Sequence, residues 1–331
     1  MIAVQSQRTF ILATAVGATL GLGLYYLRSR KERNAKIQKR VDKILEILNQ
    51  DFCHFKDPVA IKEKIRAFVT AGAQGVQIVA DFDRTLTKAF VDGQPAHASY
   101  GVIDDSSYIP ETAVQELNAL KAKYFPIEMS TALTEAEKLP HMIQWYNSSF
   151  QVAIKAGIKR HMLPAMVRES SVQLRDGSDQ FFHLVTENKT PIFILSAGVG
   201  DVIEEIMKQQ AEIPPQLKLV ANYYSYDSNG TMNGRDGELI HTFNKHETSH
   251  KSKDYFHSIK QCKNVLVMGD TLGDPVMADG IDHMTACIKI GFLNKDVEES
   301  LSAYLSVYDI VLAHDADMDL INLMLREIVK D

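Results

Sequence analysis

Apolar positions come in three patterns along this chain. The first is a continuous run. Thr9 to Leu27 carries no charge and is rich in Leu, Ala, Gly and Val. At about 1.5 Å rise per residue, a helix of that length just spans a bilayer's hydrocarbon core. Arg28, Arg30, Lys31 and Arg33 follow at once, and by the positive-inside rule that flank stays in the cytosol. A cleaved signal peptide is the rival reading, but it would carry its charges before the apolar run. The second pattern is helical. Ile61, Ile65 and Phe68 recur at helical spacing within Val59–Thr70, and Gly72 and Gly75 stop that helix. The third is the short buried strand: Val76–Ala80, Pro191–Leu195, Leu217–Ala221, Asn264–Met268, Cys287–Ile290 and Asp309–Leu312. Helices are expected from about Gly200 and over Met318–Val329, and Asn229-Gly230 signals a hairpin.

Between 107 and 187 no strand-like alternation occurs. Ala113–Tyr124, Thr134–Phe150, Lys155–Ser171 and Gly177–Glu187 read as helices, which makes this stretch a helical insertion. The expected fold is therefore α/β: a Rossmann-like parallel sheet core with a helical-bundle cap inserted after the first core strand. The expected organisation is a short tail over 1–8, a transmembrane anchor over 9–27 and a basic juxtamembrane or linker segment over 28–58. A catalytic core over 59–106 and 188–331 and a cap over 107–187 complete it.

Composition changes this picture little. With 45% hydrophobic and 24% charged residues the chain is ordinary globular protein. Cys53, Cys262 and Cys287 form no CxxC pair, which fits a reducing compartment and argues against structural zinc. A net charge of −6 gives no field to recruit nucleic acid. No obligate protein partner is evident. The expected location is cytosol-facing, anchored on the endoplasmic reticulum or the outer mitochondrial membrane, and otherwise cytoplasmic. His97, His141, His161, His241 and His246 read as structural or exposed.

The chemistry gathers where strands end. Ligands of such sheets bind beyond the strands' carboxyl ends. Val76–Ala80 runs into Asp81 and Asp83, Pro191–Leu195 into Ser196, and Asn264–Met268 into Asp270 and Asp274. Paired carboxylates repel unless a cation lies between them, and hard oxygen ligands suit Mg²⁺. Asp81 is suited to attack phosphorus and Asp83 to protonate the leaving oxygen and later activate water. Ser196 and the N–H groups of Ala197 and Gly198, expected at a helix start, are suited to the phosphate oxygens.

The segment Asp81-Phe82-Asp83-Arg84-Thr85-Leu86-Thr87, then Ser196, then a lysine, then Gly269-Asp270 with Asp274, resembles the four-motif order of haloacid-dehalogenase-like phosphatases. Ile192–Asp201, Gly237–His246 and Met277-Ala278-Asp279-Gly280 make the likeness closer, to the cytosolic 5′-nucleotidase III family. Members act on pyrimidine monophosphates or on 7-methylguanosine monophosphate. The resemblance implies that Asp81, the Asp83 carbonyl and Asp270 hold Mg²⁺, with Asp274 supporting them. It also implies that Ser196, Ala197, Gly198 and Lys245 bind phosphate, and that Glu128, Ser149 and Tyr100 meet the base or ribose. Arg84 stands where the family usually has Met, and Met129-Ser130 and Gly93–Ala98 depart from its pattern. The resulting expectation is a Mg²⁺-dependent 5′-nucleotidase that takes UMP, CMP or 7-methyl-GMP through an aspartyl phosphate. The alternatives are a phosphatase of another small phosphomonoester and a non-catalytic membrane-tethered relative.

Overall fold

The structure, a computed structural model, describes residues 27–130 and 132–330. Except for Leu27, the apolar run lies outside the described residues, and no helix among them is long and apolar enough to cross a membrane.

The described chain opens with helix α1 over 27–47. Its last turns are not a free linker. Val41, Ile44 and Leu48 are fully buried, and Lys43 pairs with Glu327 at 2.5 Å. Strand β1 (Cys53–Phe55) and helix α2 (Pro58–Ala71) follow. Asp57 caps α2 by accepting from the Val59 and Ala60 N–H groups, and Pro58 occupies the first turn, where no donor is needed.

Strand β2 (Val76–Ala80) is buried at every position. The two-residue strands β3 (Phe90–Val91) and β4 (Gln94–Pro95) pair in a small hairpin. Next come α3 (Gly101–Asp104), α4 (Glu111–Met129), α5 (Glu135–Lys155), α6 (Leu163–Glu169) and α7 (Ser178–Glu187). Thr134 and Glu137 form a capping box at the start of α5. The helix expected over Lys155–Ser171 is broken. Gly157 adopts φ 69°, a short 3-10 turn covers Arg160–Met162, and only Leu163–Glu169 is α-helical.

The remaining elements alternate: β5 (Ile192–Val199), α8 (Gly200–Gln210), β6 (Leu217–Tyr226), β7 (Met232–Asp236), α9 (Lys245–Lys251), α10 (Lys253–Ser258), β8 (Asn264–Gly269), β9 (Ala286–Leu293), α11 (Val297–Val307), β10 (Ile310–Ala313) and α12 (Asp319–Val329). They form an eight-stranded sheet in the order β1-β10-β9-β8-β2-β5-β6-β7. Its six central strands are parallel, as expected, while β1 and β7 close the edges antiparallel. The β6–β7 hairpin turns at Gly230 (φ 74°), with Asp227 accepting from Asn229 and Thr231.

Register sets the site. Ala80 lies opposite Ile194 on one side and Met268 on the other, so β2 and β8 finish nearly level while β5 runs on to Val199 beside them. The chain leaving β2 and the chain returning from the helical insertion run side by side. Lys88 donates to the Gln173 carbonyl at 2.9 Å and Arg175 to the Leu86 carbonyl at 2.9 Å. His97 N–H donates to Ser171 Oγ, and Ser171 N–H to His97 Nδ1, both at 3.0 Å.

Candidate active site

Asp81 follows β2 directly and is buried. Lys245, the first residue of α9, places Nζ 2.8 Å from Asp81 and 2.6 Å from Asp274. Asp274 is fully buried, and its other oxygen accepts from the Asp270 and Thr271 N–H groups at 3.0 and 2.8 Å. Asp81, Asp270 and Asp274 each present an oxygen within 4.8 Å of the others.

Three carboxylates against one ammonium is an unbalanced site. Burial pushes Asp81 up to about 7 against the pull of Lys245. Burial, then the charges of Asp274 and Asp81, push Asp270 well up. Lys245 is held protonated: burial opposes its charge, but Asp274 and Asp81 overcome that and raise it. The surplus of negative charge is what a hard cation relieves, and oxygen-only donors fit Mg²⁺. Both Asp274 oxygens are already engaged, which leaves Asp81 and Asp270 as the groups free to ligate.

Asp83 turns the other way. Ser99 donates to it twice, N–H to Oδ1 at 2.8 Å and Oγ to Oδ2 at 2.6 Å, and Val199 N–H donates to Ser99 Oγ at 3.1 Å. Ser99 therefore ties Asp83 to the end of β5. Burial raises the Asp83 carboxyl, partly offset by those two bonds. The space is tight: a Cβ on Gly198 would lie 2.2 Å from Ser99 Oγ, 2.6 Å from Asp83 Oδ2 and 3.1 Å from Ser196 Oγ. Ser196, Ala197 and Gly198 belong to the end of β5, where pairing with β6 shifts register, and lead directly into α8, which begins at Gly200 as expected. Gly198 N–H there donates to Ser196 Oγ at 3.0 Å.

Arg84 adopts φ 60°, unusual for a residue with a side chain, and its head is exposed. The reason lies beneath it. Arg175, only 2% exposed, donates to the carbonyls of Arg84 (2.5 Å), Thr85 (2.8 Å) and Ala316 (2.6 Å), to Asn294 (2.7 Å) and to Asp315 (2.8 Å). Its guanidinium also lies 4.2 Å from the Phe292 ring centroid. One buried side chain, just before α7, thus joins the loop after Asp83 to the loops after β9 and β10.

The helical insertion reaches the site through α4 and α5. Glu128 accepts from Thr242 Oγ1 at 2.9 Å, and burial raises its carboxyl while Thr242 opposes the rise. Tyr146 lies within electrostatic reach of Glu128, Lys245, Asp83 and Asp81, and burial raises its phenol further. Tyr100 packs against it, with rings edge-to-face at 5.4 Å and a buried hydroxyl that has no partner among the described residues. Ser149 is buried on α5, one turn beyond Tyr146. Asp81, Asp83, Ser196, Gly198, Lys245, Asp270 and Asp274 thus converge, Glu128 approaches them from the insertion beside Tyr146, Tyr100 packs on Tyr146, and Ser149 lies buried on the same helix.

Several supporting residues had no readable signal. Ser99 and Arg175 lie in segments of no motif. Tyr304 on α11 and Tyr308, the residue just after it, donate to the carbonyls of Asp270 and Thr271, each at 2.5 Å. Tyr146 carries no distinguishing pattern either, since an aromatic residue at a helical position is ordinarily core.

A family profile described as pyrimidine 5′-nucleotidase (UMPH-1) matches residues 84–329. The 7-methylguanosine phosphate-specific 5′-nucleotidase A of Xenopus laevis is 38% identical over 282 residues, covering 85% of this chain and 97% of that one. The Homo sapiens 7-methylguanosine phosphate-specific 5′-nucleotidase is 37% identical over 274 residues, covering 83% and 91%. The crystal structure of cytosolic 5′-nucleotidase IIIB bound to cytidine superposes with a TM-score of 0.81 at 32% identity, covering 88% of this chain and 97% of that one. The chain belongs to the pyrimidine 5′-nucleotidase (UMPH-1) family and is a 5′-nucleotidase, a phosphoric monoester hydrolase.

Proposed function

We propose that the chain hydrolyses nucleoside 5′-monophosphates, UMP and CMP or 7-methyl-GMP, with Mg²⁺ and through a phosphoryl group carried on Asp81. The observation that carries this reading is the buried Asp81–Lys245–Asp274 group with Asp270 beside it. Asp81, Asp270 and the Asp83 carbonyl would hold Mg²⁺, which when bound offsets the repulsion between a phosphate and these carboxylates.

Lys245 orients the Asp81 carboxylate and, with Ser196 and the N–H groups at Ala197–Gly198, meets the phosphate oxygens. An Asp81 oxygen attacks phosphorus, the bond from phosphorus to the 5′ oxygen breaks, and Asp83 delivers its proton to that oxygen. The raised Asp83 carboxyl favours the protonated form that this step needs. Asp83 then takes a proton from water as that water attacks the aspartyl phosphate, releasing inorganic phosphate and restoring Asp81.

Glu128 is the group we assign to the base. A carboxylate accepts from the exocyclic amino group of cytosine or 7-methylguanine, or from the uracil imide. Ser149 and Tyr100 support the same pocket. We assign 59–106 and 188–331 to a catalytic core and 107–187 to a cap; the Glu128–Thr242 hydrogen bond from insertion to core supports that division. The same reading keeps residues 9–27 as a membrane anchor with the enzyme facing the cytosol, on the strength of the sequence alone.

The experiment is a steady-state comparison of UMP, CMP, 7-methyl-GMP and phosphoserine, with and without Mg²⁺, for the native enzyme and Glu128→Ala. Mg²⁺-dependent release from nucleotides, with relative rates redistributed in Glu128→Ala, is expected. Equal rates on phosphoserine, or unchanged nucleotide ratios in the variant, would refute base reading.

A further inference from the structure

Helix α9 carries the phosphate-site lysine at its first residue and two histidines behind it, His246 and His250. His246, expected to be structural or exposed, stands one helical turn from His250. Residues four apart on a helix lie on one face, and here the two imidazoles are in contact, with ring centroids 4.4 Å apart and planes at 72°. His246 is half exposed, and its Nδ1 lies 3.0 Å from Asp279 Oδ2. Paired histidines at this spacing are a recurring metal-ligand arrangement on helices. A carboxylate on the far nitrogen of one ring is the usual orienting partner of a metal-bound imidazole.

The geometry points to a second metal site on this chain, distinct from the carboxylate site: a transition-metal ion held by His246 Nε2 and His250, with Asp279 fixing the His246 ring and water completing the shell. The ligand class is a borderline divalent ion such as Zn²⁺, Ni²⁺ or Co²⁺, since imidazole suits these and Mg²⁺ takes oxygen.

The backbone is already arranged for it. Ser249, between the two histidines in sequence and fully buried, donates to the Met277 carbonyl at 2.6 Å and accepts from Gly280 N–H at 3.1 Å. Gly280 fits so closely that a Cβ there would lie 2.3 Å from the Ser249 carbonyl oxygen. This lock fixes α9 against the segment Asp274–Gly280, and so fixes Asp279 beside His246 independently of any ion. An ion bound here sits one residue from Lys245 on one segment and five from Asp274 on the other, so it clamps together the two stretches whose Lys245–Asp274 pair serves the phosphate site.

The test is a Co²⁺ titration of the full chain in saturating Mg²⁺, followed by the visible absorption of bound Co²⁺ and its displacement by Zn²⁺. The variants are His250→Ala, Asp279→Asn and Asp270→Asn, and nucleotidase activity near the native level without added Co²⁺ certifies the fold of the first two. One bound equivalent, weakened about 10–100-fold in Asp279→Asn, abolished in His250→Ala and retained in Asp270→Asn, is the expected result. Native-like binding in His250→Ala, or loss of the signal in Asp270→Asn instead, would overturn the assignment. Absence of any bound equivalent in the native chain overturns it equally.

Discussion

Arg175→Ala is the substitution that most directly tests how this site is held. The guanidinium makes five hydrogen bonds, and its removal does not leave five orphans. The Arg84 carbonyl keeps Asn294 Nδ2 at 3.1 Å, and Asp315 keeps the Ala89 and Phe90 N–H groups at 3.0 and 2.9 Å. Asn294 Oδ1, on a partly exposed residue, turns to water; the Thr85 and Ala316 carbonyls lose their Arg175 donor, and a cavity opens against Phe292. Two orphaned acceptors at about 1–3 kcal/mol each give a loss of about 2–6 kcal/mol. That range brackets the about 3–5 kcal/mol typical of breaking a buried ion pair. At about 2 °C per kcal/mol, the low end for larger domains, the midpoint should fall by about 6–10 °C. Because the freed Thr85 carbonyl lies two residues after Asp83, kcat should also drop, by about 10²-fold for a shift near 1 Å, with little change in KM. Arg175→Lys should recover part of the stability and little of kcat, since one ammonium cannot reproduce a five-donor fork. Thermal unfolding and steady-state kinetics on the folded fraction read both quantities. Arg175→Ala with native stability and native kcat would refute the reasoning.

Three further outcomes follow from the same geometry. Gly198→Ala forces a Cβ to 2.2 Å from Ser99 Oγ and 2.6 Å from Asp83 Oδ2; overpacking of this kind costs about 1–3 kcal/mol, and kcat should fall with it, so native kinetics would contradict the packing. Arg84→Gly removes a side chain from a φ of 60° and should stabilise the chain by about 1 kcal/mol in urea unfolding, because glycine adopts that conformation freely; destabilisation would contradict this. Burial raises Asp81 to about 7, and Asp270 well above its ordinary value. A cation binds only their ionised forms, so Mg²⁺ affinity should weaken as pH falls through about 7, by about tenfold per unit for each proton displaced. Calorimetric titration on either side of that pH checks the sign, and a pH-independent affinity would contradict it.

The central sheet was legible because its strands are continuous apolar runs, and a strand buried on both faces has no other way to appear in sequence. The edges were not. Strand β1 is three residues long, and β7 follows a turn-rich stretch, so neither shows a pattern before its partner is known. The Asp81 segment, Ser196 and Asp270 were visible because each ends an apolar strand. Lys245 and Glu128 were reachable only through resemblance, since an isolated Lys or Glu in a helical region is normally solvated. Ser99 and Arg175 act through contacts that close 16 and 91 positions away from Asp83 and Arg84, and no local pattern encodes such distances. The helix expected from about Gly200 begins there, but β5 runs past Leu195 to Val199 with a shift in register. A bulge of that kind depends on the neighbouring strand.

The most direct test of the whole account is acid-quenched phosphoenzyme. The enzyme is mixed with Mg²⁺ and a nucleoside monophosphate labelled in its phosphate, quenched in acid within a turnover and digested. The account predicts an acid-stable, hydroxylamine-labile label on the peptide bearing Asp81, absent in Asp81→Asn. A label on any other residue, or full turnover in Asp81→Asn, would contradict it.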